Sequence, residues 1–181
     1  GNLGIGIIKT SSVKKEHRKV TAPCVVFDDQ DDMVAALSSG QYERDFVAVV
    51  RFQGPKANGM PELHQLTPHL GGLQDKGFKV ALVTDGRMSG ASGKVPAAIH
   101  MSPEALDGGP LSRIRDGDVI ALDADAGTLE VQLSASELAS RETAQANWSL
   151  EDRELSSTLG RGLFDSFRQC SSTAKSGASV F

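Results

Sequence analysis

The sequence is poor in cysteine, and this scarcity excludes several classes of protein. Only Cys24 and Cys170 occur among the 181 residues. Two cysteines so far apart do not make the disulfide framework of a small secreted domain. They also cannot bind an iron–sulfur cluster alone, because such a cluster usually takes about four thiolates. Cys24 precedes the apolar residues 25–27, so we interpret it as a small core residue.

Long apolar runs and blocks of like charge are also missing. No apolar stretch approaches the roughly 18 residues of a membrane-spanning helix, and no signal peptide opens the sequence. The formal net charge of −4, without a basic block, argues against nonspecific binding to nucleic acid or to an anionic membrane. We therefore expect a cytoplasmic protein, and a chain of this length is most simply one domain with one good core.

The pattern of apolar and polar residues predicts an α/β domain with a mixed sheet. Strand-like segments occur at residues 5–8, 24–27, 46–52, 79–84, 119–122 and 128–133. Helices are predicted at residues 32–37, with Asp28 or Asp29 as the cap, at 61–66 and 101–106, and from the capping box at 134–137. Gly71 and Gly72 are expected to interrupt the chain before the fourth strand. In the tail, a helical stripe is indicated by Leu155, Leu159, Leu163 and Phe167.

The segment from Asp85 to Lys94 is the most informative in the chain. It follows an apolar run at residues 80–83 and contains three glycines, which let a backbone turn sharply and approach a ligand. It also carries two hydroxyls and two cations, and such loops at strand ends are where α/β proteins place their chemistry. The spacing matches neither a phosphate-binding P-loop nor a dinucleotide fingerprint. An ordinary turn from a strand into a helix remains the alternative.

Three segments, at residues 50–64, 80–100 and 167–178, resemble the family of dihydroxy-acid and 6-phosphogluconate dehydratases. The resemblance runs in order over nearly the whole chain, and residues 90–94 and the tail are more similar to the 6-phosphogluconate branch. It implies a swivelling β/β/α fold with a mixed, barrel-like sheet and flanking helices. Residues 1–181 would then be a single C-terminal domain of a larger enzyme, with residues 147–181 as a helical tail.

The resemblance also implies a function. The full enzyme would be a hydro-lyase of the Entner–Doudoroff route, which converts 6-phospho-D-gluconate to 2-dehydro-3-deoxy-6-phosphogluconate. It would use a [4Fe–4S] cluster whose ligands lie outside this chain, with Mg²⁺ as a candidate second metal. The expected partners are the missing N-terminal domain, the sugar-acid substrate and a second copy in a homodimer, and the fragment alone should be inactive. Alternatives are a dehydratase of another sugar acid or of a branched-chain dihydroxy acid, and a non-catalytic anion-binding module.

Ser89 matches the position of the serine proposed as the base in this family. A serine hydroxyl is a poor base near neutral pH, so its alkoxide would need stabilising charges. Arg87, Lys94 and backbone N–H groups at a helix start predicted after Ser89 could supply them. Ser92 is interpreted as a hydroxyl that binds substrate, together with the two cations. A loop hydroxyl that merely caps a helix is the alternative for Ser89.

The resemblance places Glu62 on a Mg²⁺-ligand position of the family, and carboxylate oxygens suit that cation. Its alternative role is to favour a helix start through its negative charge. Asp85 and Lys56 are predicted to contact substrate, although Asp85 could simply form a turn and Lys56 could lie in any exposed loop. His100, at the end of an apolar segment, is interpreted as structural.

Overall fold

The computed structural model describes residues 1–89, 93–146 and 164–181, and its centre is one mixed, curled sheet. The sheet has the strand order β1-β5-β4-β3-β2-β6-β7. Strands β2 to β5 run parallel to one another, whereas β1 joins β5, β6 joins β2 and β7 joins β6 in antiparallel orientation. The strands are β1 (Ile5–Lys9), β2 (Lys19–Phe27), β3 (Phe46–Val50), β4 (Val80–Thr84), β5 (Ala97–Ser102), β6 (Val119–Asp123) and β7 (Thr128–Val131).

Five α-helices occur in the described residues: α1 (Gln30–Ser38), α2 (Pro55–Asn58), α3 (Leu66–Asp75), α4 (Ala135–Ser140) and α5 (Asp165–Gln169). The predicted caps are present, since Asp29 accepts the N–H of Asp31 and Ser134 accepts that of Glu137. None of the described helices has the length and apolar character needed to cross a membrane. The α/β class and the mixed, barrel-like sheet with flanking helices are confirmed.

Two apolar cores lie on the two faces of the sheet. The helix-side core packs α1 and α3 against alternate residues of β3 and β4, such as Ala48 and Leu82. The far-side core contains the other residues of those strands, such as Val49 and Val83, and is closed by Leu111 and Leu138. Because β3 and β4 are buried on both faces, their sequences are continuously apolar.

The third helix differs from the prediction at both of its ends. It begins at Leu66 rather than Pro61; Glu62 instead forms an isolated bridge, and His64 and Gln65 form a turn that leads into the helix. It also continues through Gly71 and Gly72, which were expected to break the chain. Packing explains the difference, because Leu66 and Leu70 are fully buried against the sheet and this burial outweighs the low helix propensity of two glycines.

The segment after β4 also departs from the prediction. No described residue after Arg87 opens a helix there; the chain instead enters β5, which pairs parallel with β4. Met101 and Ser102 end that strand, so the helix predicted at residues 101–106 shrinks to a 3₁₀ turn at Ala105–Asp107. Leu155, Leu159 and Leu163 lie outside the described residues. Phe167, the fourth member of that stripe, lies in α5 with 52% of its surface exposed.

Candidate active site at the carboxyl edge of the parallel strands

Two loops at one edge of the sheet contain most of the predicted site residues. The loop after β3 covers residues 51–65, and the loop after β4 covers residues 85–96. The two strands are parallel neighbours, with Val50 opposite Thr84, so their loops leave the sheet side by side. We call this edge, formed by the two loops, the rim. Carboxyl ends of parallel strands are the usual place for ligands in α/β sheets.

Glu62 and Arg87 join the two loops directly. They form an isolated parallel bridge, in which the N–H of Leu63 donates to the carbonyl of Arg87 at 3.0 Å. The Arg87 Nε donates to the carbonyl of Met60 at 2.8 Å, and its Nη1 lies 3.6 Å from Glu62 Oε2. Both side chains keep considerable exposure, 35% for Glu62 and 49% for Arg87. The structure therefore brings the predicted metal ligand beside the predicted substrate cation at an open surface.

Ser89 follows Arg87 by two residues on the same loop and is half-buried. Ser92 lies outside the described residues. The helix start that was expected to support a Ser89 alkoxide is not formed by the described residues, because the loop leads into β5. Any electrostatic support from the described loop must therefore come from its cations, Arg87 and Lys94.

The two predicted lysine contacts already have carboxylate partners at the surface. The Lys94 ammonium pairs with Asp75, and both groups are largely exposed. The Lys56 ammonium lies 2.8 Å from Asp107, and this hydrogen bond raises the pKa of Lys56. Exposed pairs contribute little to stability, so an anionic substrate could compete for either lysine at small energetic cost.

Asp85, which was predicted to contact substrate, lies at the buried base of the rim. Its side chain is completely buried, and its two oxygens accept three backbone N–H groups. These come from Gln53 at 2.9 Å, Phe52 at 3.2 Å and Ala105 at 2.9 Å. Burial raises the pKa of Asp85 to about 6, although the three N–H donors act in the opposite direction. Asp85 thus ties together the loops of the rim from a buried position.

A second buried carboxylate, Glu104, was missed by the sequence analysis. It accepts the N–H groups of Lys56 at 2.9 Å and Ala57 at 3.1 Å, and so caps the start of α2. Burial raises the pKa of Glu104, against the effect of these bonds. A Cβ placed on Gly54 would lie 2.1 Å from Glu104 Oε2. Glycine at position 54 is therefore required by the close approach of this carboxylate.

Lys9 was also missed, because a lysine at the end of an apolar strand usually extends into solvent. Here only 5% of it is exposed, and its ammonium donates to the carbonyl of Gly93 at 3.1 Å. Burial lowers the pKa of Lys9. On the other side of the loop, the Gln74 amide donates to the carbonyl of Lys94 at 3.3 Å. The end of the loop that returns to β5 is thus held from both sides.

Three non-glycine residues in the left-handed backbone region have φ between 53° and 60°: Phe52 and Met60 lie in the rim, and His100 lies beside it in β5. This conformation is sparsely populated for such residues and concentrates at functional sites. His100 donates its backbone N–H to the carbonyl of Gly86 at 2.9 Å. The pKa of its imidazole is lowered by burial and, to a smaller extent, by the charge of Arg87. Nothing in the sequence pattern pointed to a role for His100 beyond packing.

The described residues do not fit an iron–sulfur cluster. They contain no group of three or more histidine, cysteine or acidic side chains that could hold a metal. The thiol of Cys24 donates to the carbonyl of Arg115, and burial raises its pKa to about 12, so it stays protonated. Cys170 is exposed near the C-terminus. Glu62 remains the one residue that the sequence analysis nominated as a metal ligand.

Comparison with known proteins identifies the family of the chain. Residues 1–178 match the family model described as dihydroxy-acid/6-phosphogluconate dehydratase, C-terminal. The chain is 57% identical over its whole length to a phosphogluconate dehydratase of Pseudomonas aeruginosa, and 51% identical over 98% of its length to that of Escherichia coli K12. It is 36% identical over 95% of its length to a dihydroxy-acid dehydratase of Parvibaculum lavamentivorans.

The chain spans only 28–29% of the length of these relatives. Its similarity extends over both loops of the rim, since the family match includes every residue from 1 to 178. The chain therefore belongs to the dihydroxy-acid/6-phosphogluconate dehydratase family, of which it represents the C-terminal region.

Proposed function

We propose that the longer protein carrying this chain is a hydro-lyase that dehydrates 6-phospho-D-gluconate to 2-dehydro-3-deoxy-6-phosphogluconate. One observation carries the proposal: relatives named phosphogluconate dehydratase are 51–57% identical to this chain, against 36% for the relative named dihydroxy-acid dehydratase. The proposal places the protein in the Entner–Doudoroff route and in the cytoplasm.

The proposed reaction removes a proton from C2 of the sugar acid and hydroxide from C3. The C2 proton is only weakly acidic, so its removal requires a strong base that is close and correctly oriented. Ser89 is proposed as that base, and the neighbouring Arg87 supports this role because a cation stabilises an alkoxide. The enol that forms then takes a proton at C3 and loses its hydroxyl proton, which gives the 2-keto acid.

The substrate has two anionic ends, a carboxylate and a phosphate. Arg87, Lys94 and Lys56 are the proposed contacts for them, together with the hydroxyl of Ser92. Exposure of Arg87 and the weak surface pairing of the two lysines support this assignment. Glu62 is proposed to contribute one oxygen to a Mg²⁺ ion that would orient the substrate carboxylate and hydroxyl.

An iron–sulfur cluster would supply a Lewis acid for the departing hydroxyl. Its [4Fe–4S] form and its ligands are assigned to the N-terminal part of the longer protein, because the described residues of this chain offer no ligand set. That N-terminal part is the proposed main partner of this chain, and a homodimer is proposed for the assembly.

A substrate panel on the full-length protein tests the proposal. We expect turnover of 6-phosphogluconate to exceed that of unphosphorylated gluconate and of a branched-chain dihydroxy acid, measured by formation of 2-keto acid. Preference for the branched-chain substrate would transfer the proposal to the other branch of the family. The chain of residues 1–181 alone should fold and bind no stoichiometric iron, and it should dehydrate none of these compounds. Turnover by this chain alone would show that the N-terminal part is dispensable.

A further inference from the structure

Side chains along β5 alternate between the two faces of the sheet, and this alternation is shifted by one residue at His100. Ala97 and Ile99 belong to the helix-side core, whereas Ala98 and Met101 belong to the far-side core. Regular alternation would place Met101 with Ile99, so His100 is an extra residue that joins neither core. A strand with such an extra residue is bulged, and bulges commonly re-aim a side chain beside an active site.

The pairing with β1 shows the same bulge independently. Ile7 lies opposite Ile99 and Ile5 opposite Ser102, so two steps along β1 face three steps along β5. The left-handed φ of +58° at His100 produces the extra step. Its N–H is bonded to the carbonyl of Gly86, and its own carbonyl accepts the hydroxyl of Ser102 at 3.2 Å. The unusual conformation is therefore fixed directly against the segment that leads to Arg87 and Ser89.

Proton transfer at the rim requires a group that can accept a proton near neutral pH. Most described charged groups there are unsuited: the cations have no free lone pair, Asp85 and Glu104 are buried acceptors of backbone N–H groups, and Asp107 pairs with Lys56. The cations of the two loops are Arg51, Lys56, Arg87 and Lys94, and the ammonium of Lys9 is bonded to the carbonyl of Gly93. His64, the histidine of the loop after β3, is exposed and lies two residues from Glu62, whereas His100 is bonded through its backbone to Gly86, in the segment that leads to Ser89. Glu62 lies against Arg87 and is the proposed metal ligand. His100 is partly exposed, and both burial and Arg87 favour its neutral form.

We propose that His100 accepts the hydroxyl proton of Ser89 and returns it to the hydroxide that leaves the substrate. This inference rests on the proposed dehydration and supplies the activation that a serine base needs. The Ser89 oxygen transfers its proton to an imidazole nitrogen and, as an alkoxide, takes the proton from C2. The electron pair of that C–H bond forms the C2–C3 double bond as the C3–O bond breaks. The imidazolium protonates the leaving hydroxide, so water and the enol are released and both side chains return to their initial states.

The test uses the full-length protein with His100→Asn and His100→Gly. Both residues tolerate a left-handed backbone, so the bulge should persist and the melting temperature should not fall. We expect kcat to fall about a hundred- to ten-thousand-fold while KM stays within a few-fold. Added imidazole should restore at least part of the kcat of His100→Gly, and it should not restore that of Ser89→Ala.

His17→Asn is the matched control, because His17 lies before β2 at the opposite edge of the sheet; its kcat should equal that of the wild type. A kcat for His100→Asn within about threefold of the wild type would overturn the inference. So would a folded His100→Gly variant that imidazole does not rescue. If instead the wild-type protein turned over no sugar acid, the proposed function itself would fail, which is a distinguishable result.

Discussion

Substitution of Asp85 by asparagine should change how stability depends on pH. Asparagine keeps one acceptor oxygen and replaces the other by an amide nitrogen, which cannot accept a backbone N–H. At least one of the three N–H groups from Phe52, Gln53 and Ala105 then loses its partner. Asp85 is protonated at pH 4, but both oxygens of the neutral acid keep lone pairs that can accept these N–H groups. A buried unsatisfied donor costs about 1–3 kcal/mol, so at pH 4 the wild type should be more stable by that amount.

The sign of the pH effect follows from the direction of the pKa shift. The pKa of Asp85 is raised to about 6 in the folded chain, from an ordinary value of 3.8. The folded state therefore holds this proton more tightly, and its stabilisation is complete below pH 3.8 and is lost as pH rises through about 6. A shift of about two pKa units corresponds to ~3 kcal/mol. The advantage of the wild type should thus disappear, or reverse, above pH 7.

Urea unfolding of residues 1–181, followed by circular dichroism between pH 4 and pH 8, measures this difference. Other groups titrate in both proteins, so their contributions largely cancel in the difference between the two free energies of unfolding. The negative charge of Glu104 contributes to the raised pKa of Asp85, and loss of the Asp85 charge makes ionisation of Glu104 easier, which acts in the same direction. The exposed Asp125, replaced by asparagine, is the control, and its effect should stay below about 0.5 kcal/mol throughout. An advantage of wild-type Asp85 that grows with pH would refute the reasoning, because the three N–H donors would then outweigh burial.

Three further predictions concern the rim. In the full-length protein, Ser89→Ala should lower kcat on the order of a hundred- to ten-thousand-fold without changing melting temperature or iron content, whereas Ser92→Ala should have a milder effect. Near-normal kcat for Ser89→Ala would return Ser89 to a simple loop role. Glu62→Gln should raise the Mg²⁺ concentration needed for half-maximal activity, and an unchanged Mg²⁺ titration would remove Glu62 from the proposed metal site. Gly54→Ala should destabilise the chain by about 1–3 kcal/mol in urea unfolding, because its Cβ would lie 2.1 Å from Glu104. Gly127→Ala is the comparison: Gly127 has open space around it, so this variant measures only the strain of placing alanine in a left-handed conformation.

The parts of the fold that the sequence predicted correctly are those governed by local pattern. β3 and β4 are apolar on both faces, and the caps at Asp29 and Ser134 act over two or three residues. β5 was missed because its first residues, Ala97 and Ala98, have weak strand preference and gain their structure from pairing with β4 and β1. The continuation of α3 through two glycines likewise depends on tertiary packing that no local rule contains.

The same distinction applies to the candidate site. Proximity of Glu62 and Arg87 could be predicted, because their loops follow consecutive strands that proved to be parallel neighbours. The bracing role of Asp85 could not, since its N–H partners lie 20 to 33 residues away along the chain. Lys9 reaches Gly93 across 84 residues. Such contacts arise only from the three-dimensional arrangement of strands, and they reverse the ordinary expectation that charged side chains lie outside.

The bridge between the two loops has a consequence for insertions and deletions. Leu63 is completely buried, while its neighbour Glu62 faces the open rim, and the bond from Leu63 to Arg87 sets which of the two points inward. One residue added between Gly59 and Glu62 would shift this register and exchange a leucine with a carboxylate in the core. The length of the loop after β3 is therefore constrained as strictly as the identity of its residues. Changes in chain length should be tolerated instead at turns such as that between β6 and β7, where Gly127 has open space around it.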